Sequence, residues 1–129
     1  MNDFDKIISE MNLAFFGREM HKITPIEHFA TADAVVVDLR FDEEYGALAL
    51  PLKGFAKSLH IPFNQLPDRL NEIPKDKPVG LFCSSDNRSA MAFLYLRAKG
   101  YENARILMGG YHALTDALMP GKVFKKLGA

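Results

Sequence analysis

The sequence predicts an α/β domain with a mostly parallel sheet and helices on both of its faces. Three observations carry this. Apolar, β-branched runs alternate along the chain with stretches of helical periodicity. Ala34-Val35-Val36-Val37-Asp38-Leu39 is almost continuously apolar, as a strand covered on both faces requires. Val79-Gly80-Leu81-Phe82 is a second such run; it ends at Cys83 and gives way, through small polar residues, to a helix-forming stretch. Parallel strands need right-handed crossovers, which puts helices over both faces.

The elements follow in order. Phe4, Ile7, Ile8, Met11 and Phe15 fall at helical spacing, so residues 3–16 read as one amphipathic helix ended by Gly17. Its single apolar stripe suits docking on its own domain better than a partner contact. His21 to Ile23 is a short strand. Thr24-Pro25-Ile26-Glu27 opens a helix: Thr24 caps, Pro25 suits the first helical position and Glu27 completes a capping box. After the strand at 34–39, Arg40 to Tyr45 is a polar turn or short helix. Pro51 and Gly54 mark a loop. Ser58 to Ile61 is a short strand closed by Pro62, Phe63 to Leu70 a short helix, and Asn71 to Pro78 a polar connector. Ser89 to Lys99 is a helix stopped by Gly100. Ala104 to Met108 is a strand ended by Gly109-Gly110, Tyr111 to Leu118 a helix, and Pro120-Gly121 begins a basic tail.

The chain has 129 residues, which fits one domain. Such a chain buries about two-thirds of its unfolded surface and needs no disulfide or metal staple. Formal charge is zero, with 16 basic and 16 acidic residues, and no basic patch points to nucleic acid or a membrane surface. The single cysteine excludes a disulfide scaffold and a two-cysteine redox motif within the chain. The four histidines lie far apart and lack cysteine company, so neither a metal nor another cofactor is expected. The start, Met1-Asn2-Asp3-Phe4-Asp5-Lys6, lacks a basic signal region, and no apolar stretch is long enough to span a bilayer; a cytoplasmic protein is expected.

Cys83 carries the chemistry. It sits where a strand stops and a helix begins, and in parallel α/β sheets ligand sites lie beyond the carboxyl ends of strands. A helix N-terminus offers unpaired N–H groups and a positive dipole end, which favour the reactive thiolate. Ser84, Ser85, Asp86 and Asn87 suit tight turns and local hydrogen bonds, and Arg88 adds a permanent cation. If Cys83 to Arg88 curl into a cradle, their amides converge on the sulfur and the Cys83 pKa is expected to fall below about 8.5. A lone cysteine can also be a small buried hydrophobe at a strand end, but that role requires neither the arginine nor the polar turn.

The loop Cys83-Ser84-Ser85-Asp86-Asn87-Arg88-Ser89-Ala90-Met91-Ala92 resembles the active-site loop and following helix of single-domain rhodaneses, the sulfurtransferases. Val37-Asp38-Leu39-Arg40 with Glu44-Tyr45 is similar to the family's Asp-x-Arg segment. Leu59-His60-Ile61-Pro62, Gly100-Tyr101-Glu102-Asn103-Ala104, Leu107-Met108-Gly109-Gly110 and Thr24-Pro25-Ile26-Glu27 resemble its other landmarks, over roughly residues 20–120. The resemblance implies a rhodanese-like fold with a central five-stranded parallel sheet flanked by helices. Residues 20–129 would form that domain and residues 1–19 an N-terminal amphipathic helical extension.

It also implies a double displacement. Cys83 takes the outer sulfur of a small sulfur-containing anion such as thiosulfate, or of a persulfide, and passes it from a Cys83 persulfide to cyanide, a thiol or a protein cysteine. Cys83 and Arg88 would be catalytic, Ser84, Ser85, Asp86, Asn87 and Ser89 would bind substrate, and Asp38 and Arg40 would support them. The family often has Arg directly after the cysteine and Gly two residues later; here Ser84 and Asp86 hold those places. A carboxylate at 86 would repel thiosulfate unless it points outward or pairs with Arg88. Two alternatives stay open. One is a catalytically weak or inactive binding module. The other is a cysteine phosphatase or arsenate reductase, whose loop is one residue longer than the four enclosed here by Cys83 and Arg88.

Overall fold

The computed structural model describes residues 3–127. Five parallel strands, β1 (Lys22–Ile23), β2 (Val35–Asp38), β3 (Lys57–His60), β4 (Val79–Phe82) and β5 (Ala104–Leu107), form one sheet in the order β1-β5-β4-β2-β3. The α/β expectation and its five-stranded parallel sheet are met. Around the strands lie α1 (Asp3–Glu10), α2 (Leu13–Gly17), α3 (Pro25–Phe29), α4 (Asp42–Ala47), α5 (Leu66–Arg69, flanked by two 3₁₀ turns), α6 (Asn87–Ala98), α7 (Gly110–Ala117) and α8 (Lys122–Lys126).

Side chains alternate across a strand, and the two cores follow that parity. Val35, Val37, Leu39, Val79, Leu81 and Cys83 share one face with Ala92, Phe93 and Leu96 of α6. Val36, Phe82 and Leu107 share the other with Phe29 of α3 and Leu114 and Ala117 of α7. Each of these larger side chains contributes about 1.5–3 kcal/mol by leaving water. Parity therefore sends Cys83 under α6. Asp38 pairs in register with His60 and Phe82, so the carboxyl ends of β2, β3 and β4 are level.

Three local readings are corrected. The segment 3–16 is two helices, not one: Asn12 takes an extended backbone and its Oδ1 accepts from Phe15 N–H at 3.0 Å, capping α2. Met11 and Phe15 still pack against the α6-side core, while Leu13 is 88% exposed. Helix α6 begins at Asn87, two residues earlier than expected, because Asp86 takes φ 67° and turns the chain at once. The basic tail contains a helix, α8, with Val123 packed on the second core. Among the described residues no helix is long and apolar enough to cross a membrane.

Candidate active site

The level ends of β2, β3 and β4 form a floor, and the loop from Cys83 to Arg88 rises from it. Cys83 is fully buried. Among the described residues one N–H reaches its Sγ, that of Ser89 at 3.3 Å, in the first turn of α6. This corrects the expected convergence of amides: one donor stands where several were anticipated. The reason is Asp86. Its left-handed backbone lets α6 start immediately, so the loop is a short corner and not a broad cradle.

Ser84 and Arg88 are half-buried, and Ser85 and Asn87 are exposed. Ser89 is buried, with its hydroxyl lacking a partner among the described residues. Asp86 neither points outward nor pairs with Arg88. Its Oδ2 accepts from Gly109 N–H at 3.1 Å and ties the loop to the turn that opens α7. That turn must lie close: a Cβ on Gly110 would stand 2.3 Å from the Ser84 carbonyl oxygen.

Arg88 reaches across to α4. Its Nη1 donates to Glu44 Oε1 at 2.6 Å, and its Nη2 to Oε2 at 2.8 Å and to Ser84 Oγ at 3.0 Å. The hydrogen bond from Arg88 holds Glu44 down at about 2, against the opposing effect of burial and with help from Phe41 N–H. The same bond raises the Arg88 pKa. Since the folded value lies below the unfolded one, the stability that Glu44 supplies is complete above the ordinary carboxylate value of 4.5 and is lost as pH falls toward about 2. Acid titrations should therefore show wild type losing stability relative to Glu44→Gln over that window, with the two curves parallel above it.

Asp38 and Arg40 form a second, deeper pair. Arg40 Nη2 donates to Asp38 Oδ2 at 2.7 Å and Arg40 Nε to Oδ1 at 3.0 Å, while Oδ1 also accepts from Arg40 N–H. Arg40 Nη1 donates to the Leu48 carbonyl at 2.7 Å and to Tyr111 Oη at 3.0 Å. Burial works to lower the Arg40 pKa, but the bonds to Asp38 and Tyr111 outweigh it and the net direction is upward. His60 Nε2 bonds the Arg40 carbonyl at 2.7 Å and its ring stacks on Tyr45. One guanidinium thus joins the end of β2, the exit of α4 and the start of α7.

Sequence reasoning named Glu44 within the segment resembling the family's Asp-x-Arg motif but gave it no site role, and it missed Tyr111. An arginine beside a thiol calls for an acid, but the chain has 16 and Glu44 lies 44 positions from Arg88. A cavity of about 500 Å³ opens elsewhere, lined by Met11, Phe15 and Arg97 and by no residue of the cysteine loop.

The Rhodanese-like domain family model matches residues 26–117. A sulfurtransferase of Allochromatium vinosum is 36% identical over 90 residues, covering 70% of this chain and 79% of that protein. A tRNA sulfurtransferase of Aeromonas salmonicida is 31% identical over 109 residues; the match covers 79% of this chain but only 22% of that longer protein. The crystal structure of a rhodanese-like domain protein from Staphylococcus aureus superposes with a TM-score of 0.59 at 32% identity, covering 73% of this chain and 90% of that one. Sheet order, the strand–cysteine–helix corner and these likenesses agree: the chain belongs to the rhodanese-like sulfurtransferase family.

Proposed function

We propose that this chain carries sulfane sulfur as a persulfide on Cys83. The observation that supports it most is the corner itself: a thiol at the carboxyl end of a central strand, with the Ser89 amide of a twelve-residue helix aimed at its sulfur. That amide and the helix dipole favour negative charge on sulfur, whether thiolate or persulfide. The thiolate attacks the outer sulfur of the donor, the donor's S–S bond breaks and its electron pair leaves on the remaining thiolate or sulfite. An acceptor nucleophile then takes the outer sulfur and restores Cys83. Because the sulfur is fully covered, the corner 84–88 must open for a donor to reach it. Metal and nucleic acid have no part in the reading; the acceptor is a nucleophile such as cyanide, a thiol or a protein cysteine.

The test is intact mass after incubation with thiosulfate or glutathione persulfide. Wild type should gain one sulfur atom, cyanide or excess thiol should remove it, and Cys83→Ser should gain none. Failure of every sulfane donor to load Cys83 would overturn the proposal. Complete burial of Cys83 and the engagement of Arg88 by Glu44 favour a second reading, a binding module without turnover. That reading gains if no donor loads the protein and the folded thiol resists iodoacetamide.

A further inference from the structure

The cavity of about 500 Å³ lies at the end of α6 remote from the cysteine corner, between α1, α2 and Arg97. At 1.5 Å per residue, Arg97 stands roughly 15 Å along the helix from Asn87. The volume suits a small molecule. Arg40, Arg69 and Arg88 each hold a carboxylate within ion-pair distance. Among the described residues Arg97 holds none. Its Nε is buried without an acceptor, and its guanidinium carbon lies 5.3 Å from the Phe15 ring centre and 5.4 Å from that of Phe93. Burial lowers the Arg97 pKa; Glu102 opposes this, Arg105 adds to it and Glu10 opposes it more weakly. A fork shaped for a carboxylate thus lines the cavity with that geometry unused.

The rest of the wall narrows the ligand. Exposed Arg18 adds a second cation, and exposed Glu10 and Glu102 add two carboxylates. Among the described residues none of the three is ion-paired. A simple anion would meet both glutamates, and a simple cation both arginines. A molecule with one carboxylate and one ammonium answers both signs. Met11, Phe15 and Met20 are half-buried and give the wall an apolar stretch, which suits an apolar side chain.

We propose that this cavity binds a small zwitterion, an α-amino acid with an apolar side chain. Arg97 grips its carboxylate, Glu10 and Glu102 hold its ammonium, and Met11, Phe15 and Met20 cover its side chain. The site is separate from the cysteine corner and stands independently of the reading of Cys83 as a sulfur carrier.

The experiment is an amide NMR titration of the full chain with L-phenylalanine, 3-phenylpropanoate and phenethylamine, which share a ring and differ in their charged groups. Phenylalanine should shift the Phe15 and Gly100 amides saturably with a Kd of about 1 mM, the scale open to a ligand of that size. Loss of the carboxylate, in phenethylamine, should weaken binding about tenfold. Loss of the ammonium, in 3-phenylpropanoate, should weaken it about threefold, as should Glu102→Gln with phenylalanine. Arg97→Met keeps an apolar stem against Phe15 and removes the fork, so phenylalanine binding should fall about tenfold or more. Cys83→Ser should bind as wild type does, whatever its sulfur loading shows. No saturable shift with phenylalanine, equal binding of the three probes, or undiminished binding by folded Arg97→Met would overturn the assignment. Should Arg97→Met fail to fold, Arg97→Lys keeps the charge without the fork, and undiminished binding there overturns it equally.

Discussion

Asp38→Ala should destabilise the protein by about 3–5 kcal/mol, the cost of leaving a buried guanidinium without its counter-ion. Arg40 is 0% exposed and Asp38 is 2% exposed, so water cannot replace the lost carboxylate. Four hydrogen bonds from Arg40 go with it, two from Nε and one each from Nη2 and its own N–H. Against a typical total of about 5–15 kcal/mol this is a large fraction. The urea midpoint should fall by roughly 2 M. A double replacement, Asp38→Leu with Arg40→Met, should recover part of the loss, because removing both charges leaves neither one buried alone. It should not recover all, since the Leu48 carbonyl and Tyr111 hydroxyl then lose their donor. A single variant close to wild type in urea would show that the pair is solvated and that this account of the site floor is wrong. The effect should also reach the corner. Arg40 holds the exit of α4 through Leu48, and α4 carries Glu44 to Arg88.

Gly110→Ala is expected to cost about 2–5 kcal/mol, from a left-handed backbone and an added carbon in a filled space. Gly110 has φ 58°, and its absent Cβ would meet the Ser84 carbonyl oxygen at 2.3 Å. That neighbour is backbone and cannot rotate aside as a flexible side chain would. Relief must come from parting the α7 turn from the cysteine corner, which pulls on the bond between Gly109 N–H and Asp86 Oδ2. Tm should fall by roughly 10 °C or more, and sulfur loading of Cys83 should slow in the fraction that stays folded. Thermal unfolding followed by circular dichroism, with mass-detected loading at low temperature, separates the two effects. An unchanged Tm would mean that the corner and α7 are not in contact.

These outcomes divide along what one sequence could tell. The strands at 34–39 and 79–82 were legible because a strand covered on both faces is apolar along its length, and a short run of that kind announces itself locally. The position of Cys83 was legible for the same reason, since it is the residue at which the run stops. The Thr24 cap was legible because capping is a contact between neighbours: its Oγ1 accepts from Glu27 N–H at 3.2 Å. The break at Asn12 was hidden by a competing signal. Apolar spacing continued through it, and helical periodicity cannot show that an asparagine will end one helix to cap the next. The early start of α6 was hidden in the same way, because it depends on the backbone angle at Asp86 and not on any pattern of hydrophobicity.

From sequence alone came the fold class, the family resemblance and the place of the thiol, all set by short-range patterns of burial and turn chemistry. Tertiary structure decided what surrounds the sulfur. Glu44 meets Arg88 across 44 positions, Arg40 meets Tyr111 across 71, and Asp86 meets Gly109 across 23. Such pairings depend on which strands become neighbours and how their ends align. A charged side chain carries no local mark of the partner that the fold will bring to it.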